Sequence, residues 1–158
     1  MSQGADASAL LWDLYSSADN PVLRATLTPI ASDPSGFSKR FYGHLFRRSP
    51  GLRTLFPEDM EQQYLKLAQT LCVVVSGLDQ PKQIVPGLEA LGARHRGYGV
   101  RPSHYRLMGQ ALMASLGGAL GDAWTPEYTQ AWSEAFELIA QTMIEGAAEV
   151  RIAAAMAA

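Results

Sequence analysis

The chain has 158 residues, of which 47% are hydrophobic and 18% charged, a composition that excludes a disordered or fibrous protein. This length suits a single domain. The formal net charge of -2 argues against a protein built around nucleic acid. A single cysteine, Cys72, excludes an intramolecular disulfide and any zinc or iron–sulfur site built from cysteines.

The sequence also indicates a compartment. The lone Cys72 thiol suits a reducing cytosol. The N-terminal residues MSQGADAS lack the positive charge and apolar run of a signal peptide. Since no stretch of about 18 apolar residues occurs, we expect no membrane span and a cytoplasmic protein.

Several helix starts are marked by a capping side chain directly before a proline, as in Asp33-Pro34, Ser49-Pro50 and Thr125-Pro126. Strand-like alternation is nearly absent, and alanine and leucine dominate. The predicted helices cover residues 8–17, 21–31, 35–47, 50–56, 59–78, 81–96, 102–120 and 126–152. Many helices with short connections predict an all-α domain.

The domain organisation predicted from this pattern has three parts. Residues 1–20 form an N-terminal extension that contains the first predicted helix. Residues 21–152 form the main helical domain, and residues 153–158 form an alanine-rich tail that we interpret as a fraying helix end.

Polar side chains interrupt two of the apolar stripes that the long helices carry. His95 ends the stripe of the helix predicted at 81–96, and Gln63 begins the stripe of the helix predicted at 59–78. A polar group that faces a core needs a partner. His95 is therefore either a core histidine bonded to a backbone carbonyl or a metal ligand. Gln63 is either a partly solvated residue at a helix start or a functional donor.

The surroundings of these residues favour a cofactor. No carboxylate or second histidine falls on the stripes, so a zinc site with several protein ligands is not indicated. A single histidine suits haem, whose porphyrin supplies the other four nitrogens. Tyr42, among aromatic neighbours, is a third polar tip in apolar company. We expect His44 and His104 at the surface and Cys72 as a small buried apolar residue.

Four segments, in the correct order and spacing, resemble the globin family. Phe41–Phe46 and Pro50–Phe56 resemble the second and third globin helices, Leu91–Val100 the proximal helix, and Ala131–Ala140 the last helix. The pattern is most similar to bacterial single-domain haemoglobins and to the globin half of flavohaemoglobins. The resemblance implies a globin fold for residues 21–152 and haem b (iron protoporphyrin IX) as the cofactor.

The resemblance also implies roles for individual residues. His95 matches the proximal iron ligand. Tyr42 and Gln63 match the distal donors of hydrogen bonds to a diatomic ligand, and Leu67 matches the apolar residue over the iron. Further matches would line the haem pocket: Phe46, Phe56, Val100, Tyr105, Met108, Leu112 and Phe136.

One position departs from the flavohaemoglobin pattern. Flavohaemoglobins carry a glutamate on the last helix that bonds the proximal histidine and a tyrosine. Tyr105 matches that tyrosine, but Ala147 stands at the glutamate position. Glu145 and Glu149 lie roughly 200° away around a helix, so neither replaces it directly. Without the carboxylate the histidine donates less electron density to iron, which argues against strong peroxidase-like activity.

These matches predict reversible, high-affinity binding of oxygen, together with NO and CO, by a monomer or a homodimer. One alternative is a nitric oxide dioxygenase that uses a separate reductase, since flavohaemoglobins continue into a flavin and nicotinamide reductase that this sequence lacks. A second is a haem-based gas sensor, and a third is a helical protein without haem, which the colour of the purified protein would reveal.

Overall fold

The computed structural model describes residues 21–157, which contain α-helices and 3₁₀ turns and no β-strand. The α-helices of this range are α1 (Pro21–Ala25), α2 (Leu27–Ser32), α3 (Pro34–Arg48), α4 (Glu61–Gly77), α5 (Pro81–Gly97), α6 (Pro102–Leu120) and α7 (Pro126–Ala157). Two 3₁₀ helices, Pro50–Leu55 and Gly121–Ala123, lie between them. The predicted all-α class is confirmed, and the helix predicted at 8–17 lies outside the described residues.

The single helix predicted at 21–31 is wrong, because the structure breaks it at Thr26. The Thr26 hydroxyl donates a 2.6 Å hydrogen bond to the carbonyl of Leu23, which draws this backbone away from the helical pattern. Pro29 lies three positions further on and has no N–H to offer the carbonyl of Ala25. A new helix that starts at Leu27 places this proline in a first turn, where its missing N–H costs nothing.

Asp33 and Ser49 each precede a proline, at the two ends of α3, and only Asp33 caps a helix with its side chain. Asp33 accepts a 3.2 Å hydrogen bond from the backbone N–H of Gly36, as predicted. Ser49 makes no side-chain capping bond, and its own N–H donates to the carbonyl of Leu45 instead. The segment that follows, predicted as a helix over 50–56, is a 3₁₀ helix.

Contacts divide the described residues into two compact units. The α3 unit comprises residues 21–76 and Ser103–Ser133, and the α5 unit comprises Gly77–Pro102 and residues 134–157. The predicted apolar stripes supply buried residues to both: Val74, Leu78, Leu88, Tyr105, Leu112, Leu116, Trp132, Ile139 and Met143. No helix among residues 21–157 combines the length and hydropathy needed to cross a bilayer.

Two glycines allow α5 and α7 to approach closely within the α5 unit. A Cβ atom built on Gly92 would overlap the carbonyl oxygen of Met143 and lie 2.6 Å from its Cα. A Cβ atom built on Gly146 would lie 2.5 Å from the carbonyl oxygen of Glu89. Carbon contacts are normally 3.5–4.0 Å, roughly 1 Å longer. These two contacts therefore require glycine, and they fix the position of α5 against α7.

Candidate functional site

Tyr42 lies within a cluster of aromatic rings in the α3 unit. Tyr42 and Phe46 are one helical turn apart on α3 and stack with ring centroids 5.6 Å apart. Phe56, directly after the 3₁₀ helix, meets Tyr42 edge to face at 5.2 Å. Phe41 and Tyr64 complete the cluster, with centroids 5.1 and 6.0 Å from that of Tyr42. These rings hold the phenol of Tyr42 in one orientation.

The hydroxyl of Tyr42 is hydrogen-bonded to Gln63. The Nε2 of Gln63, in the first turn of α4, donates to the Tyr42 Oη over 2.9 Å. Tyr42 is only 4% exposed, and this burial raises the pKa of its phenol to about 12. The phenol therefore keeps its proton at neutral pH. Because Gln63 is the donor in this bond, Tyr42 can give its own hydrogen to a second acceptor.

An open cleft of about 420 Å³ borders the aromatic cluster. Tyr42, Phe46 and Tyr64 form part of its wall. The charged residues of its lining are of both signs: Lys39, Arg53, Glu58, Asp59 and Glu61. The Lys39 Nζ lies 5.8 Å from the centre of the Tyr64 ring, within reach of a cation–π contact. Small solutes can approach the edge of the cluster through this cleft.

His95 lies in the last turn of α5, where its ring is half-buried. Its Nδ1 is 2.9 Å from the backbone carbonyl of Leu91. A carbonyl oxygen can only accept, so Nδ1 carries the proton and the lone pair of the neutral ring lies on Nε2. A core histidine is expected to make this bond. The same bond also prepares Nε2 to bind iron, so His95 fits a haem whose porphyrin supplies the other four nitrogens.

The backbone at His95 is fixed by the way α5 ends. Gly99 adopts a φ of 95°, a left-handed conformation that favours glycine. The N–H of Val100 donates to the carbonyl of His95 over 3.0 Å, and the N–H of Gly99 donates to that of Arg96 over 2.9 Å. This pair of bonds is the Schellman motif. It ends the helix directly after the turn that carries His95.

The acceptor at the Nδ1 of His95 is a backbone carbonyl. The Leu91 carbonyl is neutral, whereas the flavohaemoglobin pattern places a carboxylate beside the proximal histidine. Ala147 is half-buried on α7, and Glu145 accepts a 3.3 Å hydrogen bond from the side chain of Gln141. The bond to the Leu91 carbonyl orients the His95 ring.

The remaining predicted residues lie on α4, α6 and α7, except Val100, which follows the end of α5. Tyr105 and Leu112 are buried on α6, and burial raises the pKa of Tyr105 to about 12. The other predicted lining residues are half-buried: Leu67, Val100, Met108 and Phe136. The cluster thus joins Tyr42, Phe46, Phe56 and Gln63 within the α3 unit, whereas His95, Val100 and Phe136 belong to the α5 unit.

His44 and His104 were expected at the surface, and both are half-exposed. The pKa of His44 is lowered by its partial burial and by the positive charges of Arg47 and Arg48. A guanidinium nitrogen of Arg47 lies 3.2 Å from the His44 Nδ1.

Sequence reasoning missed Tyr64, which belongs to the cluster, and Arg53, which packs against it. Tyr64 directly follows Gln63, but its position against Tyr42 depends on how α4 packs on α3. Arg53 precedes Phe56 by three residues and lies 5.8 Å from the Phe46 ring. The sequence offered one signal for Arg53, which is that it lies near the predicted residues Phe46 and Phe56 in the chain. That spacing does not show which groups the guanidinium binds.

The globin sequence pattern matches residues 39–143, about two-thirds of the chain. The helical fold and this match define the class, and the chain belongs to the globin family. It is 32% identical over 127 residues to a flavohaemoprotein of Rhodopirellula baltica, covering 77% of this chain and 31% of that protein. The chain therefore spans about a third of the length of the curated relatives it matches.

Solved structures support the same fold. An engineered carbene transferase from Rhodothermus marinus, provisionally described as a nitric oxide dioxygenase, matches with a TM-score of 0.76 and 28% identity. The match covers 85% of this chain and 94% of that one. A bacterial globin from Campylobacter jejuni has a TM-score of 0.73 at 16% identity, over 83% of this chain and 95% of the other. The predicted globin fold is confirmed.

Proposed function

We propose that this globin binds haem b through His95 and reversibly binds oxygen, NO and CO, with Tyr42 as the hydrogen-bond donor to the diatomic ligand. When bound, haem would supply a ferrous iron able to take such a ligand. The chain contributes an imidazole with its lone pair on Nε2 and a neutral phenol that can donate. We place this activity in the cytoplasm, where Cys72 would remain reduced.

The hydrogen bond from Gln63 to Tyr42 is the observation that carries this proposal. It leaves the phenol hydrogen for another acceptor and orients the hydroxyl inside a buried aromatic cluster. Gln63 then acts on the ligand through Tyr42 as well as by its own amide. A hydrogen bond to a charged acceptor contributes about 1.5–3 kcal/mol, or roughly one to two powers of ten in a dissociation rate. Strong retention of oxygen suits scavenging or chemistry better than bulk transport.

Tyr42→Phe tests the role of the phenol. We expect the oxygen dissociation rate, measured by stopped flow, to rise at least about tenfold because the donor is lost. Tyr98→Phe is the control, since Tyr98 is 59% exposed and lies outside the cluster. An unchanged rate in Tyr42→Phe would show that another group stabilises the ligand.

His95→Ala tests the iron ligand. We expect the variant to lose haem on a desalting column, and free imidazole should restore the absorption spectrum by replacing the missing side chain. His44→Ala is the control at a half-exposed histidine. Stable retention of haem with an unaltered spectrum in His95→Ala would refute the assignment.

A second candidate function is nitric oxide dioxygenation with a separate reductase. It is favoured by the similarity to the Rhodothermus marinus protein, which is covered over 94% of its length. The overall reaction combines NO, O₂ and one electron into nitrate, so each turnover needs an external reductant. Nitrate formed in the presence of a flavin reductase and NADH, at a rate that falls in Tyr42→Phe, would support it. Oxygen binding without catalytic nitrate formation would leave reversible binding as the function.

A further inference from the structure

One arginine side chain closes the turn that carries Phe56. Arg53 lies near the end of the 3₁₀ helix, and its guanidinium donates to three consecutive backbone carbonyls. Nη1 donates to Phe56 over 3.3 Å and to Pro57 over 2.9 Å, and Nη2 donates to Glu58 over 3.0 Å. Hydrogen bonds from a charged donor are stronger than neutral ones. The guanidinium therefore holds the chain between the 3₁₀ helix and α4 in one shape.

The same guanidinium also packs against the aromatic cluster. Its Cζ lies 5.8 Å from the centre of the Phe46 ring. Phe46 and Phe56 contact each other at 5.5 Å, and each of them contacts Tyr42. Arg53 thus bonds the backbone of one neighbour of Tyr42 and covers the ring of the other. A displacement of this turn would shift the Phe56 ring and remove the guanidinium from the Phe46 ring, and both rings contact Tyr42.

We infer that Arg53 is a positioning residue for the Tyr42 hydroxyl. Its planar guanidinium fixes the turn at 56–58, and the turn and the guanidinium together hold the rings of Phe56 and Phe46 beside Tyr42. Lysine is a poor substitute, because a single ammonium on a flexible stem does not match three carbonyls spread along a turn. The inference rests on the proposed role of Tyr42 as the donor to a diatomic ligand.

The experiment compares Arg53→Lys in two backgrounds of the full-length, haem-loaded protein. In the wild-type background we expect the oxygen dissociation rate to rise by about threefold to tenfold, since the phenol is misoriented but present. In the Tyr42→Phe background we expect no further rise, because Arg53 acts through a hydroxyl that is then absent. Arg48→Lys is the matched control, since Arg48 donates a single exposed bond, to the carbonyl of His44.

A second readout does not depend on haem. Amide hydrogen exchange in the segment 55–61 of the haem-free chain should be faster in Arg53→Lys than in wild type or Arg48→Lys. If the lysine variant does not fold, Arg53→Gln keeps a planar amide with two N–H donors and is measured in the same way.

The outcomes separate the two hypotheses. A rate unchanged by Arg53→Lys, or raised equally with and without the Tyr42 hydroxyl, would overturn the inference about Arg53. An oxygen dissociation rate that Tyr42→Phe itself does not alter would instead overturn the proposed function.

Discussion

Adding one methyl group at Gly92 tests the close approach of α5 and α7. The Cβ of Gly92→Ala would overlap the carbonyl oxygen of Met143, which belongs to a helix backbone and cannot rotate away. The helices must therefore separate locally. Overpacking of a core costs about 1–3 kcal/mol, and the absence of a flexible neighbour favours the upper half of that range.

The net effect is smaller, because alanine is the better helix former by about 0.8–1.0 kcal/mol. We therefore expect Gly92→Ala to lower the free energy of unfolding by about 1–2 kcal/mol. For a chain of this size the midpoint of thermal unfolding should fall by about 2–8 °C.

Gly87→Ala on the same helix is the matched control, since a Cβ atom there meets nothing within 4 Å. It should gain helix propensity alone and raise the midpoint by about 2–4 °C. Both variants are compared by thermal unfolding monitored by circular dichroism at one protein concentration. If Gly92→Ala were as stable as Gly87→Ala, α5 and α7 would not be in backbone contact at this position.

Three further changes probe the ends of helices and the buried phenol. Gly99→Ala should destabilise the protein by about 1–2 kcal/mol in urea unfolding, because the Cβ of alanine makes the left-handed conformation that ends α5 unfavourable. Asp33→Ala should cost about 1 kcal/mol in the same assay by removing the cap of α3, and Asp33→Asn should restore most of it. Burial raises the pKa of Tyr42 to about 12 in the folded protein, against about 10 in the unfolded chain. The folded state therefore resists losing this proton, and the free energy of unfolding should fall by up to about 3 kcal/mol as pH rises from 10 to 12. Tyr42→Phe should lose this component of the pH dependence of stability. Because the phenol stays protonated well below pH 10, its titration should not change the wild-type oxygen dissociation rate between about pH 6 and 9.

Local signals in the sequence predicted most of the helices and part of the site. Proline after a capping residue marked the starts of α3 and α7, and apolar periodicity identified the buried face of α7. The one-turn spacing of Tyr42 and Phe46 placed both on one face of α3, where their rings stack. A period of 3.6 residues is a property of the helix itself, so it can be recognised without knowledge of the fold.

Features that depend on contacts distant in sequence were not predictable in this way. Gly92 and Met143 are far apart in the chain, and neither residue alone indicates that two backbones meet there. The three carbonyls bound by Arg53 converge only because the turn after the 3₁₀ helix has a particular shape. The break at Thr26 had a local signal in Pro29, which has no N–H to offer the carbonyl of Ala25.

The hydrogen bond from His95 to Leu91 does not depend on the side chain at position 91. The Leu91 carbonyl is part of the backbone, so no side-chain replacement at that residue removes it. Its direction is fixed from both sides, by the contact of Gly92 with α7 and by the Schellman motif at Gly99. A carboxylate introduced on α7 would have to compete with a bond that the helix already makes. The hydrogen bond that orients the His95 ring is therefore built into the backbone of α5.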